Sequence, residues 1–147
     1  MTTKEKAICV SSVISGLLAV PPAAKAEFTV GTFAYAYAVE GHANVYVQGS
    51  LGDRSAWLLD KCDSNGDTVA ALYKRYRNRV SSGPFWFAGL TYVAKGQRAG
   101  YSAVAGLGYE YTTRSNFTFG AFAGGAAGGD NSVTYPVANL EVGYRFH

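Results

Sequence analysis

The chain has 147 residues, 48% hydrophobic, 14% aromatic and only 16% charged, with a formal net charge of +3. Lys4, Lys6, Lys25 and Glu5 fall within the first 26 residues, so the remainder carries only +1, too little to support a nucleic-acid-binding surface. Of the two cysteines, Cys9 and Cys62, only Cys62 lies beyond residue 26, which excludes an intramolecular disulfide there.

Lys4 and Lys6 precede an apolar stretch, Ala7 to Val20, that is broken only by serines and followed by Pro21-Pro22 and Ala24-Lys25-Ala26. A basic start, an apolar run and a small-x-small end predict a secretory signal peptide over 1–26, cleaved after Ala26. The run is about fourteen residues, short of the roughly 20 that a membrane-spanning helix needs. Cys9 lacks the small-residue context of a lipoprotein site. Residues 27–147 are expected to form one domain, rich in Gly, Ala, Tyr and Phe, poor in Leu and Ile, and without helical periodicity.

Eight alternating stretches follow one another. The first, about Phe28 to Glu40, puts Phe33, Tyr35, Tyr37 and Val39 on one face and Glu40 on the other. Gly41 to Asn44 breaks it. The second, about Val45 to Leu51, sets Val45 and Val47 against Tyr46 and Gln48. The third, about Ala56 to Cys62, sets Trp57 and Leu59 against Asp60, and the Asn65-Gly66 pair after it predicts a hairpin. Strand four, about Thr68 to Arg79, is crowded by Lys74, Arg75, Arg77 and Arg79. Strand five, about Phe85 to Ala94, shows Trp86, Leu90 and Tyr92 on one face. In strand six, Tyr101, Leu107, Tyr109 and Tyr111 oppose Ser102, Gly106, Gly108 and Glu110 without interruption to Thr112. Strand seven carries Phe117, Phe119, Ala121 and Ala123 on one side. Pro136 predicts a bulge or a late start to strand eight, which ends in the alternation of Leu140, Val142, Tyr144 and Phe146.

Eight antiparallel strands close into a barrel whose interior is just filled by side chains. The expected fold is therefore all-β: an eight-stranded antiparallel up-and-down transmembrane barrel after a cleaved signal peptide. Glu40, Glu110 and Glu141 lie opposite apolar faces, so they are expected in the lumen, paired with Arg75, Arg77 and Arg145, with Gly106, Gly108, Gly120 and Gly143 leaving room. Aromatic belts are expected from Phe28, Phe85, Trp86, Phe117, Tyr144 and Phe146 at one rim and from Tyr35, Tyr37, Trp57, Tyr92 and Tyr101 toward the other. The Lys74 to Arg79 cluster can also meet anionic headgroups.

The alternating C-terminal strand with penultimate Phe146 resembles that of bacterial outer-membrane barrels, and the region after residue 26 resembles the small eight-stranded barrels typified by the OmpA membrane domain and OmpX. His147 and the turn-sized connections depart from that pattern. The resemblance implies an outer-membrane location in a Gram-negative envelope, periplasmic termini, and a monomer whose partners are membrane lipid and the barrel assembly machinery. Leu140, Val142, Tyr144 and Phe146 would then carry the assembly signal, with a non-enzymatic structural or surface-interaction role.

Two other readings stay open. His42, Asp63 and Ser64 fall in predicted connections at one rim, an arrangement similar to that of the lipid A palmitoyltransferases, which implies an outer-leaflet lipid A acyltransferase or hydrolase with a His-activated Ser. A secreted lipocalin-like barrel would bind a small apolar ligand instead. No cofactor is expected. Asp63 to Asp67 lacks the distal acid of a calcium loop, Cys62 lacks partners for zinc, and Gly124 to Gly129 lacks the Lys-Ser or Lys-Thr of a phosphate loop.

Overall fold

Alternation of large and small residues is carried into the backbone almost unbroken. A computed structural model describes residues 27–34, 43–63, 68–94, 100–128 and 133–147. They form β1 (Phe28–Phe33), β2 (Ala43–Ser50), β3 (Ser55–Asp63), β4 (Thr68–Tyr76), β5 (Ser82–Val93), β6 (Gly100–Thr112), β7 (Phe117–Gly128) and β8 (Val133–Phe146). Each strand pairs antiparallel with its sequence neighbour. β1 also pairs with β8, from Phe28 opposite Phe146 to Phe33 opposite Glu141, and this pairing closes the sheet into a barrel.

Three short turns, 51–54, 77–81 and 113–116, share one rim with Phe28 and Phe146. In the last of these, the Asn116 N–H donates to the Thr113 carbonyl at 3.1 Å and the Phe117 N–H to Thr113 Oγ1. Asn116 sits at φ 66°, a left-handed conformation that asparagine tolerates better than most residues. The turns are tied together: Val80 N–H donates to the Asp53 carbonyl, Tyr76 N–H to that of Arg54, and Arg145 N–H to that of Asn116.

The two faces separate as the pleat requires. Leu59, Tyr73, Leu90, Leu107, Tyr109, Phe119 and Leu140 point outward and are exposed, whereas Tyr46, Leu58, Lys74, Phe87, Glu110 and Glu141 point inward and are fully buried. The interior is not uniformly polar. Phe33 of β1 stacks on Tyr46 of β2 and meets Phe122 of β7 edge-on, and Phe122 meets Phe87 of β5 the same way, with ring centroids 5.1–5.5 Å apart. These rings, with Leu58 and Leu72, form an apolar core inside the barrel.

Several expectations are corrected. Phe33 and Phe85 face inward rather than lying on the outer face or in a belt, because each fills space beside another interior ring. Trp57 pairs with Tyr73 toward the turn rim, not the opposite half. β4 ends at Tyr76, since Arg77 already donates its N–H back to the Pro84 carbonyl across the turn. Pro136 sits within β8 opposite Gly125 in continuous register, with no bulge. Residues 1–26, Tyr35 and Tyr37 lie outside the described residues.

Space for the large interior side chains comes from glycine. A Cβ on Gly143 would stand 2.7 Å from the Tyr46 hydroxyl, and one on Gly31 2.6 Å from the same oxygen. Among the described residues that buried hydroxyl has no hydrogen-bond partner, so its removal breaks no bond there. Gly143→Ala should therefore destabilise the barrel by about 1–3 kcal/mol, the usual cost of overpacking. Tyr46→Phe should be neutral or stabilising alone and should recover part of the Gly143→Ala loss, as read by denaturant titration of the refolded protein.

Candidate functional site

The polar part of the interior is built around one lysine. Lys74 projects inward from β4 because Ala70, Leu72, Lys74 and Tyr76 form the inner face of that strand. Its ammonium donates to Glu141 Oε1 at 2.7 Å and Oε2 at 2.9 Å, and to Glu110 Oε2 at 3.2 Å. It also stands 4.6 Å from the centroid of the Phe85 ring, within cation–π range. All three side chains are about 1% exposed or less.

Glu110 is held from two further directions. The Tyr76 hydroxyl donates to its Oε2 at 2.5 Å, and Gln48 Nε2 donates to its Oε1 at 3.1 Å and to the Ser81 hydroxyl at 3.1 Å. Gln48, Lys74, Glu110 and Glu141 come from β2, β4, β6 and β8, so the cluster spans the lumen and joins strands that are not neighbours in the sheet. A Cβ on Gly120 would lie 2.9 Å from Glu141 Oε2 and 3.3 Å from Glu110 Cγ, which explains a residue without a side chain at that point of β7.

Asp60 is also inward-facing and buried, and among the described residues neither its Oδ1 nor the Ser102 hydroxyl has a hydrogen-bond partner. Among the described residues no group of three or more His, Cys, Asp or Glu is placed to hold a metal ion. The cluster can bear and exchange hydrogen bonds and charge.

The sequence places Glu110 and Glu141 in the lumen, and they are there together. Arg75 and Arg77, expected as their partners, are exposed and make no ion pair with them. Arg75 is on the outer face of β4, where its guanidinium and the Tyr73 hydroxyl both donate to Ser55 Oγ. Arg145 stays at the rim, paired with Glu27 and donating to the Val80 carbonyl. Lys74 takes the position meant for the arginines, and Gln48, Tyr76 and Ser81 were not anticipated. Leu140, Tyr144 and Phe146 line the outer face of β8, where Tyr144 meets Phe117 and Phe146 edge-on and Phe146 stacks on Phe28. Glu40, His42 and Ser64 lie outside the described residues; Asp63 is described only as the last residue of β3, opposite Ala43.

Comparison with protein-family models, with curated proteins and with solved structures finds no match to this chain.

Removing one partner from a buried charge cluster leaves the others uncompensated. Lys74→Met strands two carboxylates in a closed interior and should cost about 3–5 kcal/mol of folding stability. Neutralising them in the same chain, as Lys74→Met/Glu110→Gln/Glu141→Gln, should restore most of that loss. Equal stability of the single and triple variants in a denaturant titration would contradict the cluster.

Proposed function

We propose that this chain is an integral outer-membrane β-barrel with a non-enzymatic, structural role in the envelope. The observation that carries the reading is the inversion of the two faces. Tyr101, Leu107 and Leu90 are 71%, 69% and 58% exposed on the outside, while Lys74, Glu110 and Glu141 are each 1% exposed inside. An exterior of contiguous aromatic and aliphatic side chains is a liability in water and a solvation shell in lipid. Closure supports the same reading, because each of the eight strands pairs with a neighbour on both sides, and those ladders satisfy backbone groups that hydrocarbon cannot.

Dimensions agree. β5 to β8 are 12–14 residues long, and about 9–11 tilted residues cross a bilayer core. Among the described residues no helix is long and apolar enough to cross a membrane. Outward aromatics gather toward the turn rim at Trp86, Phe117, Tyr144 and Phe146, and toward the other at Tyr92 and Tyr101, whose rings lie 4.8 Å apart. Such girdles suit two lipid–water interfaces. A soluble ligand-binding barrel requires the reverse arrangement, with its apolar face inward and its polar face in water. The aromatic core and the Lys74 cluster fill the interior, which argues for a structural element rather than a solute pore.

The protein should refold into detergent micelles or lipid vesicles as a species that resists unfolding on an unheated denaturing gel and shifts mobility on boiling. Leu107→Arg, near the middle of β6, should lower folding stability in a bilayer by about 2–4 kcal/mol, and Tyr111→Arg, near the turn rim, by about 0–1 kcal/mol. A soluble monomer in plain buffer, without that depth dependence, would end the membrane reading.

A further inference from the structure

The turn rim concentrates arginine. Arg54 lies in the β2–β3 turn, Arg75 on the outer face of β4, Arg77 and Arg79 in the β4–β5 turn, and Arg114 in the β6–β7 turn, and all five are exposed. None of them makes an ion pair among the described residues. The described acids at this rim are Glu27, already held by Arg145 and His147, and Asp53. The positive charge is therefore largely uncompensated by the protein, although the domain as a whole is near neutral.

Position and rigidity make this more than a surface excess of charge. The β2–β3 and β4–β5 turns are bound to each other through the Asp53 and Arg54 carbonyls, and Arg145 links the β6–β7 turn to them, its N–H donating to the Asn116 carbonyl and its guanidinium to the Val80 carbonyl at 3.3 Å. Directly beside them begins the apolar band. Arg75 is opposite Trp86 in the ladder and is pinned at 2.6 Å to Ser55 Oγ, so a guanidinium is held at the edge of the exposed aromatics. Every one of these cations is arginine, whose planar fork matches phosphate oxygens two at a time. A lipid bilayer that solvates the band must bring its headgroups to this ring, where each cation adds to attraction for anionic lipid.

We infer that this rim docks on anionic phosphodiester headgroups of the leaflet it meets, with Arg54, Arg77, Arg79 and Arg114 as phosphate ligands and Arg75 anchoring the boundary with the apolar band. The inference rests on the membrane reading above and adds to it a lipid class.

The test uses the folded protein in phosphatidylcholine bilayers containing trace spin-labelled phosphatidylglycerol or phosphatidylcholine, with motionally restricted label read as lipid bound at the barrel. The wild type should favour phosphatidylglycerol by about threefold or more at low salt. That preference should collapse at about 1 M salt, where screening acts within ~3 Å. The Arg54→Gln/Arg77→Gln/Arg79→Gln/Arg114→Gln variant should insert with the same heat-modifiable mobility and show no preference. Equal binding of the two labels by an inserted wild type, or a preference unchanged in the variant, overturns the docking surface and leaves the membrane reading standing. Failure of the wild type to insert into either bilayer overturns both.

Discussion

The clasp of Lys74 between Glu110 and Glu141 is the constraint on which the rest of the barrel depends. Three charges buried to about 1% exposure are tolerable only as a set, because each would cost several kcal/mol if left alone in a low-dielectric interior. The set can form only if β4, β6 and β8 all turn these positions inward at compatible heights. Backbone ladders join neighbours alone and would tolerate a slip in any one hairpin. The ammonium joins strands two and four apart, so a slip in β4 would break contacts on the far side of the lumen. The cluster thus specifies register for the closed sheet as a whole.

Around that clasp the interior is divided by chemistry. The charged cluster draws Gln48, Lys74, Glu110 and Glu141 from even-numbered strands, whereas the apolar core draws on both sets, with Phe33, Leu58, Phe87 and Phe122 from β1, β3, β5 and β7 and Tyr46, Leu72 and Val104 from β2, β4 and β6. Side chains from alternate strands can meet across a narrow closed barrel, which brings the four polar groups together although their strands are not paired. Phe85 mediates between the cluster and the apolar core, with its face under the ammonium and its ring tilted against Phe87 at a centroid distance of 6.4 Å. The aromatic part contributes burial that a purely ionic interior would lack, which matters for a chain of this size.

Strand count, antiparallel order and outer face were legible in the sequence because period-two alternation in β3, β5, β6, β7 and β8 is strong and the outward residues are aromatic or aliphatic. The lumenal partner was not, and the reason is a register. A two-residue turn at Asn65-Gly66 would set Trp57 opposite Lys74 and send the lysine outward with it. The ladder instead sets Trp57 opposite Tyr73 and Cys62 opposite Thr68. A slip of one residue reverses every side chain of a strand, so Lys74 goes in and Arg75 out. Requiring a cation for Glu110 and Glu141 together with an aromatic beside Trp57 would have selected that register. Phe33 was misplaced for a different reason: where the lumen itself is apolar, alternation alone cannot distinguish inside from outside.

Lysine and arginine occupy different environments here, and their chemistry explains the division. The lumenal cation must fit between two carboxylates and over a phenyl ring while leaving no donor idle. A compact ammonium does this, with its three donors directed at Glu141 Oε1, Glu141 Oε2 and Glu110 Oε2. A guanidinium has five N–H donors on a broad plane, more than these acceptors satisfy, and its excess would be buried unpaired. At the turn rim the requirement reverses: Arg54, Arg77, Arg79 and Arg114 stand in the open, where spare donors cost nothing and a long apolar stem can lie along the edge of the band. The same net charge therefore serves as a clasp in one place and as an unsatisfied surface in the other, according to how many acceptors the fold supplies to it.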